Sequence, residues 1–273
     1  MQGLRRAATV AVLVLLGACT GGGTDQRGAT SSTPAPDDVD AVLAEAVERT
    51  LAHDTLDFEI HTVDGRLLEH TRGTAVPGGW QASTDLGYFD EHSTIRARAV
   101  EDRLWIQVSS WPRVSRDCWM LTPPNAALFG IGAMSAGRPG YLTLLEALEP
   151  VEFTTALHDE ITADAPLASV LGFLSAPFFH DSTIDWHTAE RTTIRVTVEI
   201  EDGEVAQVAV WASDFRAALA RARSRVRSLS ADRGGSAFRI QVHYAAGDDD
   251  VRLVEPGPDQ QVVKLKDGCG YSA

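Results

Sequence analysis

Thr193-Ile194-Arg195-Val196-Thr197-Val198-Glu199-Ile200-Glu201-Asp202-Gly203, followed by Val205 to Trp211, decides the fold. Ile194, Val196, Val198 and Ile200 alternate with Thr193, Arg195, Thr197 and Glu199, the period-two pattern of a strand with one buried face. Asp202-Gly203 supplies two residues that tolerate positive φ, so the chain turns back in a tight hairpin. The same grammar recurs elsewhere. Leu56, Phe58 and Ile60 alternate with Asp57, Glu59 and His61. Ile95, Ala97 and Ala99 alternate with Arg96 and Arg98, and Leu104, Ile106 and Val108 return after a turn at Asp102. Trp119 and Leu121 read as a further strand. Phe238, Ile240, Val242 and Tyr244 make another, and Val251 to Val254 a last one.

Helical spacing appears in four places. Val39, Val42, Leu43, Ala46, Val47 and Leu51 share one face behind a cap at Asp37 or Asp38, with Glu45, Glu48 and Arg49 opposite. Leu142, Leu145 and Leu148 form a short second pattern. A third starts near Asp164-Ala165-Pro166, with proline at a natural first-turn position, and holds Leu167, Val170, Leu171 and Leu174. Phe215, Leu219, Ala222, Val226 and Leu229 form a fourth, interleaved with Arg216, Arg221, Arg223, Arg225 and Arg227. Strands and helices in this order predict an α+β fold: a strongly curved antiparallel sheet, or half-barrel, with helices packed in its concave face.

The N-terminal stretch bears on location. Arg5-Arg6 precedes an apolar run, Ala7 to Leu16, and then Leu16-Gly17-Ala18-Cys19. A membrane span takes roughly 20 apolar residues, so this run reads as a cleaved export signal, residues 1–18. Leu16-Gly17-Ala18-Cys19 resembles the lipobox of bacterial lipoproteins, which implies that Gly17 and Ala18 let a peptidase approach and that Cys19 takes lipid, with palmitate the expected chain, and becomes the new N-terminus; an ordinary secretory signal with a chance cysteine is the other reading. Residues 19–36 read as a lipidated flexible tether, Thr-Gly-Gly-Gly-Thr and then Ser-Ser-Thr-Pro-Ala-Pro, with a reach of roughly 20–25 Å. Residues 37–273 are expected to form a single domain. The 44% hydrophobic content suits a packed globule.

Formal net charge is −14, and loss of Arg5 and Arg6 with the signal takes it near −16. That balance argues against nucleic acid as a partner and against broad adhesion to anionic lipid, so attachment to the outer face of the bacterial cell membrane falls to acylated Cys19. Lysine occurs only at Lys264 and Lys266. With abundant alanine, this suggests a GC-rich, actinobacterial genome. Outside the cytoplasm the remaining pair, Cys118 and Cys269, invites a disulfide, although two separate thiols are the other reading. Closing a loop of about 150 residues would contribute about 4–5 kcal/mol.

The order of parts resembles the mycobacterial LppX/LprG-type lipoproteins, which share a half-barrel with the LolA-like lipid carriers. The resemblance rests on Leu16-Gly17-Ala18-Cys19, the tether, the Val39–Leu51 helix and a first meander ending near Trp119. It continues through the leucine-rich segment Leu142–Leu174, the Ile194–Trp211 hairpin and a Tyr244 strand running into Val251–Pro256. The Arg216–Arg227 helix looks like an insertion, and Tyr244-Ala245-Ala246-Gly247 with three aspartates replaces the family's closing turn. The resemblance implies an apolar cavity that binds or transports a lipid or glycolipid, with no cofactor and no enzymatic activity. Candidate lining residues are Phe58, Ile60, Ile95, Leu104, Ile106, Leu171, Ile194, Val196, Val198, Phe238 and Ile240; the same residues would equally form a solid core. Arg221, Arg223, Arg225 and Arg227 are candidates for phosphate headgroups. The other function class is a non-enzymatic envelope module docking onto a membrane protein or cell-wall enzyme.

Catalytic and metal readings are weaker. Ala133-Met134-Ser135-Ala136-Gly137 resembles a nucleophile elbow but sits among glycines rather than between strand and helix. His180, Asp181, Asp185 and His187 match no defined ligand spacing. Asp248-Asp249-Asp250 lacks the alternation of a calcium loop, and Gly130-Ile131-Gly132 lacks a following Gly-Lys-Ser/Thr. His53, His61, His70, His92, His158 and His243 are scattered, so no metal site is predicted. Export and acylation are directly testable: Cys19→Ser abolishes incorporation of labelled palmitate and releases the chain from the membrane fraction, whereas continued labelling overturns the lipid-anchor reading.

Overall fold

The alternating strands assemble into one open sheet. In the computed structural model the described residues are 38–64, 67–88, 91–108, 118–122, 140–155, 159–172, 182–226, 238–248 and 250–262. The export signal, Cys19, the tether, Ser135, His158, His180, Asp181, Arg227 and Cys269 lie outside them, as does the side chain of His92.

The strands are β1 (Leu56–Asp64), β2 (Leu67–Val76), β3 (Gly79–Tyr88), β4 (Glu91–Val100), β5 (Arg103–Val108), β6 (Trp119–Thr122), β7 (Glu149–Phe153), β8 (Glu160–Pro166), β9 (Thr193–Glu201), β10 (Glu204–Trp211), β11 (Arg239–Ala246) and β12 (Gln261–Val262). Their spatial order is β12-β6-β5-β4-β3-β2-β1-β11-β10-β9-β8-β7. The chain starts mid-sheet at β1 and meanders outward to β6. It crosses to the far edge at β7 and meanders back to β11, which pairs β1 antiparallel, Phe58 opposite Tyr244. The short β12 then returns to lie parallel to β6. A twisted sheet of more than about ten strands curls rather than staying flat. The molecule is therefore α+β, with a curved sheet wrapped around helices on one face.

Alternation assigns the faces. One register row crosses nine strands: Ile161, Val198, Val208, Val242, Ile60, Thr71, Thr84, Ile95 and Val108. Every member is buried, and the two threonines satisfy each other, Oγ1 to Oγ1 at 2.8 Å. This inner face receives α1 (Val39–Leu51), α2 (Gly140–Glu146) and α3 (Leu167–Leu171); α4 (Trp186–Ala189) and α5 (Ala212–Arg221) complete the α-helices among the described residues. Asp38 caps α1 by accepting from Ala41 N–H at 3.2 Å. The buried Thr50 hydroxyl donates to Ala46 O and accepts from Val205 N–H, both at 2.8 Å, tying α1 to β10.

Several expectations hold. Asp202 (φ 53°) and Gly203 (φ 80°) form the left-handed hairpin turn. Val39–Leu51 is a helix with the expected bounds. Other expectations need correction. Val251–Val254 is not a strand: Leu253 packs over Gly79, and Val254 O accepts from Arg98 Nη1 at 2.8 Å. Residues Glu160–Pro166 extend as β8, so the third helix starts only at Leu167 with Pro166 as its cap. The arginine-rich helix stops at Arg221. Ser224 N–H donates to Leu219 O at 2.9 Å and Arg223 N–H to Ala220 O at 3.2 Å, a Schellman ending. Arg223 takes the left-handed position, at φ 49°, that such an ending usually gives to glycine. Arg225 leaves the helix altogether and exchanges backbone hydrogen bonds with Thr183, both at 2.8 Å. Cys118 is buried.

An L side chain held left-handed costs about 1–2 kcal/mol, partly offset by the greater unfolded-state freedom of glycine. Arg223→Gly should accordingly raise the unfolding free energy by about 0.5–1 kcal/mol; a chemical-denaturation midpoint that falls instead refutes the strain.

Candidate functional site

The outer face of the sheet carries the polar half of each strand, and a trough of about 560 Å³ lies across it. Two register rows supply its polar side chains. One runs Ala245, Asp57, Thr74, Gln81 and Arg98; the other runs His243, Glu59, Arg72, Ser83 and Arg96. The strands behind it reach the trough at Phe58, Gly73, Ala82, Ala97 and Tyr244, and Trp119 of β6 closes one end.

Several of these polar groups are held in place. Thr74 Oγ1 donates to Asp57 Oδ1 at 2.6 Å. Arg96 Nη1 reaches Gln107 Oε1 at 3.4 Å. The Arg98 guanidinium lies 4.9 Å over the Trp119 ring, a cation–π arrangement, and burial lowers its pKa from the ordinary arginine value. Three guanidinium groups thus share the trough with two carboxylates. Fork-shaped donors of this kind recognise planar or tetrahedral oxyanions, and the indole face accepts an apolar or ring-shaped group.

Beside the trough stands a cluster on β1, β2 and β11. His61 opposes His70 across the β1–β2 pair, with stacked rings 4.3 Å apart. His243 meets His61 edge-on at 5.8 Å. Glu59 Oε1 bonds both His70 Nε2 and Arg72 Nε, and these contacts hold its carboxyl well down, from 4.5 to about 2, the Arg72 hydrogen bond being the largest cause. His61 is shifted below the ordinary imidazole value, mainly by burial and then by the neighbouring His70.

The eleven residues expected to line an apolar cavity all lie in one contiguous buried cluster. Of these, only Phe58 also touches the trough. Among the headgroup candidates, Arg221 donates to Thr193 O at 2.7 Å, Arg223 serves as the helix ending, and Arg225 is pinned to Thr183; none of these three lines the outer-face trough. Asp185 caps α4, accepting from Thr188 N–H at 3.1 Å and Thr188 Oγ1 at 2.7 Å, which accounts for that acid without a ligand role. Sequence reading missed the trough. The available signal was the placement of Arg96 and Arg98 on the polar side of one strand, but Arg72 and Gln81 sit on strands it did not assign.

No family model matches the sequence, and no curated protein matches it. Among solved structures the chain is similar to LprF from Mycobacterium bovis, at 5% identity and a TM-score of 0.43, covering 80% of this chain and 96% of that one. The fold assignment rests on the strand order above.

The trough depends on a close approach behind it. Phe58 lies over Gly73 and stacks on Tyr141 of α2, with ring centroids 3.6 Å apart. A Cβ at Gly73 would run into the Phe58 ring and the Gln81 carbonyl oxygen. Gly73→Ala should lower the unfolding free energy by about 1–3 kcal/mol through overpacking; an unchanged denaturation curve would show that the ring is free to move aside.

Proposed function

We propose that the chain is an exported, lipid-anchored protein of the bacterial cell envelope that binds a lipid or glycolipid, with the polar headgroup seated in the outer-face trough. The observation carrying this reading is the trough itself. Its volume falls in the range of ligand pockets, and it places Arg72, Arg96 and Arg98 near an indole on an otherwise acidic chain. Arginine forks suit a phosphate or carboxylate headgroup, and Trp119 suits a sugar ring or the first methylenes of a tail. Each methylene removed from water would add about 0.8 kcal/mol. Acylated Cys19 and the 19–36 tether would hold this body at the outer face of the membrane. Among the described residues no helix is long and apolar enough to cross a membrane. The trough's groups bind and orient; they form no nucleophile–base pair, and the reading assigns no reaction.

One observation favours a second reading. The side chains expected to line an apolar hollow belong to one buried cluster, as a solid core would also have, so the body could dock onto a membrane protein or cell-wall enzyme without carrying a ligand.

Native mass spectrometry of the protein purified from its own host decides between them. The lipid reading expects a bound acylated species, lost or weakened at least about tenfold, or 1.4 kcal/mol, in an Arg96→Ala/Arg98→Ala double variant. A clean apo mass, with no uptake on incubation with host lipid extract, overturns it. Crosslinking in cells to a single stoichiometric protein then supports the docking module.

A further inference from the structure

We propose that Glu59, His61 and His70 form a binding site for one divalent first-row transition-metal ion of the zinc kind. Their ligand atoms lie within 4.8 Å of one another. Tetrahedral zinc with bonds of about 2.0–2.1 Å separates neighbouring ligand atoms by about 3.3 Å, and Glu59 Oε1 stands 3.5 Å from His61 Nε2. Two imidazoles and a carboxylate are a donor set that suits zinc and its neighbours.

Placement favours binding over chance proximity. All three side chains project from the paired strands β1 and β2, with His61 directly opposite His70 and Glu59 directly opposite Arg72. The stacked rings, 15° from parallel, turn both Nε2 atoms toward the same carboxylate. The group is open to solvent: His61, His70 and Glu59 side chains are 40%, 26% and 39% exposed. His243, opposite Glu59 on β11, is a candidate fourth donor, with water as the other.

Arg72 explains how the ion-free cluster is held. Its Nε–H points at Glu59 Oε1, 2.9 Å away, and lies 3.2 Å from His70 Nε2. His70 Nε2 faces a carboxylate oxygen and an N–H donor together. With a proton it can satisfy only the oxygen; without one, only the donor. A metal ion resolves the conflict by taking the lone pairs of both His70 and Glu59. The guanidinium is then a stand-in cation, and at 72% side-chain exposure it is free to swing out.

The test is calorimetric titration of zinc chloride into the folded, untagged protein. One ion per chain is expected. His61→Ala and His70→Ala should each weaken binding about tenfold or more, since even outer-shell partners contribute that much. Arg72→Gln, which removes the competing cation and no ligand, should tighten it. Cobalt(II) should give the visible absorption of a low-coordinate nitrogen and oxygen site in the wild type and lose it in the histidine variants. Absence of binding to the wild type overturns the site. So does zinc affinity that survives in a folded His61→Ala/His70→Ala double variant, or an Arg72→Gln variant that binds more weakly.

Discussion

Burial of one face of the sheet in unbroken register is the constraint on which the rest of the structure depends. The nine-strand row from Ile161 to Val108 allows no slip: a shift of one residue would turn every member outward. The two threonines at its centre show how the row tolerates polarity. Thr71 and Thr84 each give the other the partner that water would otherwise supply, so neither hydroxyl is left unpaired. Once this row is set, period two dictates the outer face. Glu59 must then sit between His243 and Arg72, and His61 beside His70. The trough and the histidine cluster are thus the reverse side of the packing requirement.

Curvature follows from residue size. On β2 to β4 the inner face carries Gly73, Ala75, Ala82, Ala97 and Ala99, broken by Trp80 and Leu86. Small residues let the strands bend toward the helices, and the large rings of Phe58, Tyr141 and Trp80 fill what remains. The sheet also has two edges to protect. At one, β12 covers β6. At the other, β7 carries Glu149, Pro150 and Glu152, with a register irregularity between Pro150 and Glu152. Proline, charge and a bulge all discourage pairing with another chain.

Much of this was legible in the residues. The Ile194–Trp211 hairpin, the Asp202-Gly203 turn, the first helix and the strands at Leu56, Ile95, Leu104, Trp119 and Phe238 announce themselves by period and turn chemistry. What stayed hidden has physical reasons. β2 buries glutamate, threonine and alanine on its inner face beside a half-buried Gly73, and β3 sets Ala82 and Thr84 between Trp80 and Leu86, so alternation of hydrophobicity is too faint to read. Val251–Val254 has strand composition, but its Leu253 side chain packs over Gly79 and its Val254 carbonyl bonds Arg98 rather than a strand neighbour. The arginine-rich helix stops short of its apparent end in sequence, because Arg223 rather than a glycine takes the left-handed position and so leaves no stop signal to read. The histidines read as scattered because only the β1–β2 and β1–β11 registers bring positions 61, 70 and 243 together. A contact across two strands is invisible until both strands are assigned.

The charge distribution links these features to the proposed role. A chain of formal net charge −14 repels anionic surfaces at long range, yet fixed charges a few ångströms from a ligand outweigh distant ones, because salt screens beyond a Debye length of about 8 Å. In the trough Arg72, Arg96 and Arg98 outnumber Asp57 and Glu59, so its local balance is positive whatever the sign of the whole. A compact anionic headgroup entering the trough meets guanidinium forks, while an extended anionic membrane surface meets the acidic exterior. A protein built this way would not hold itself to a membrane by electrostatics and would need a covalent anchor to stay near one. The acidic exterior and the arginine-lined trough are compatible for that reason: in the proposed role, the first would keep the body off the bilayer, and the second would admit a single molecule drawn from it.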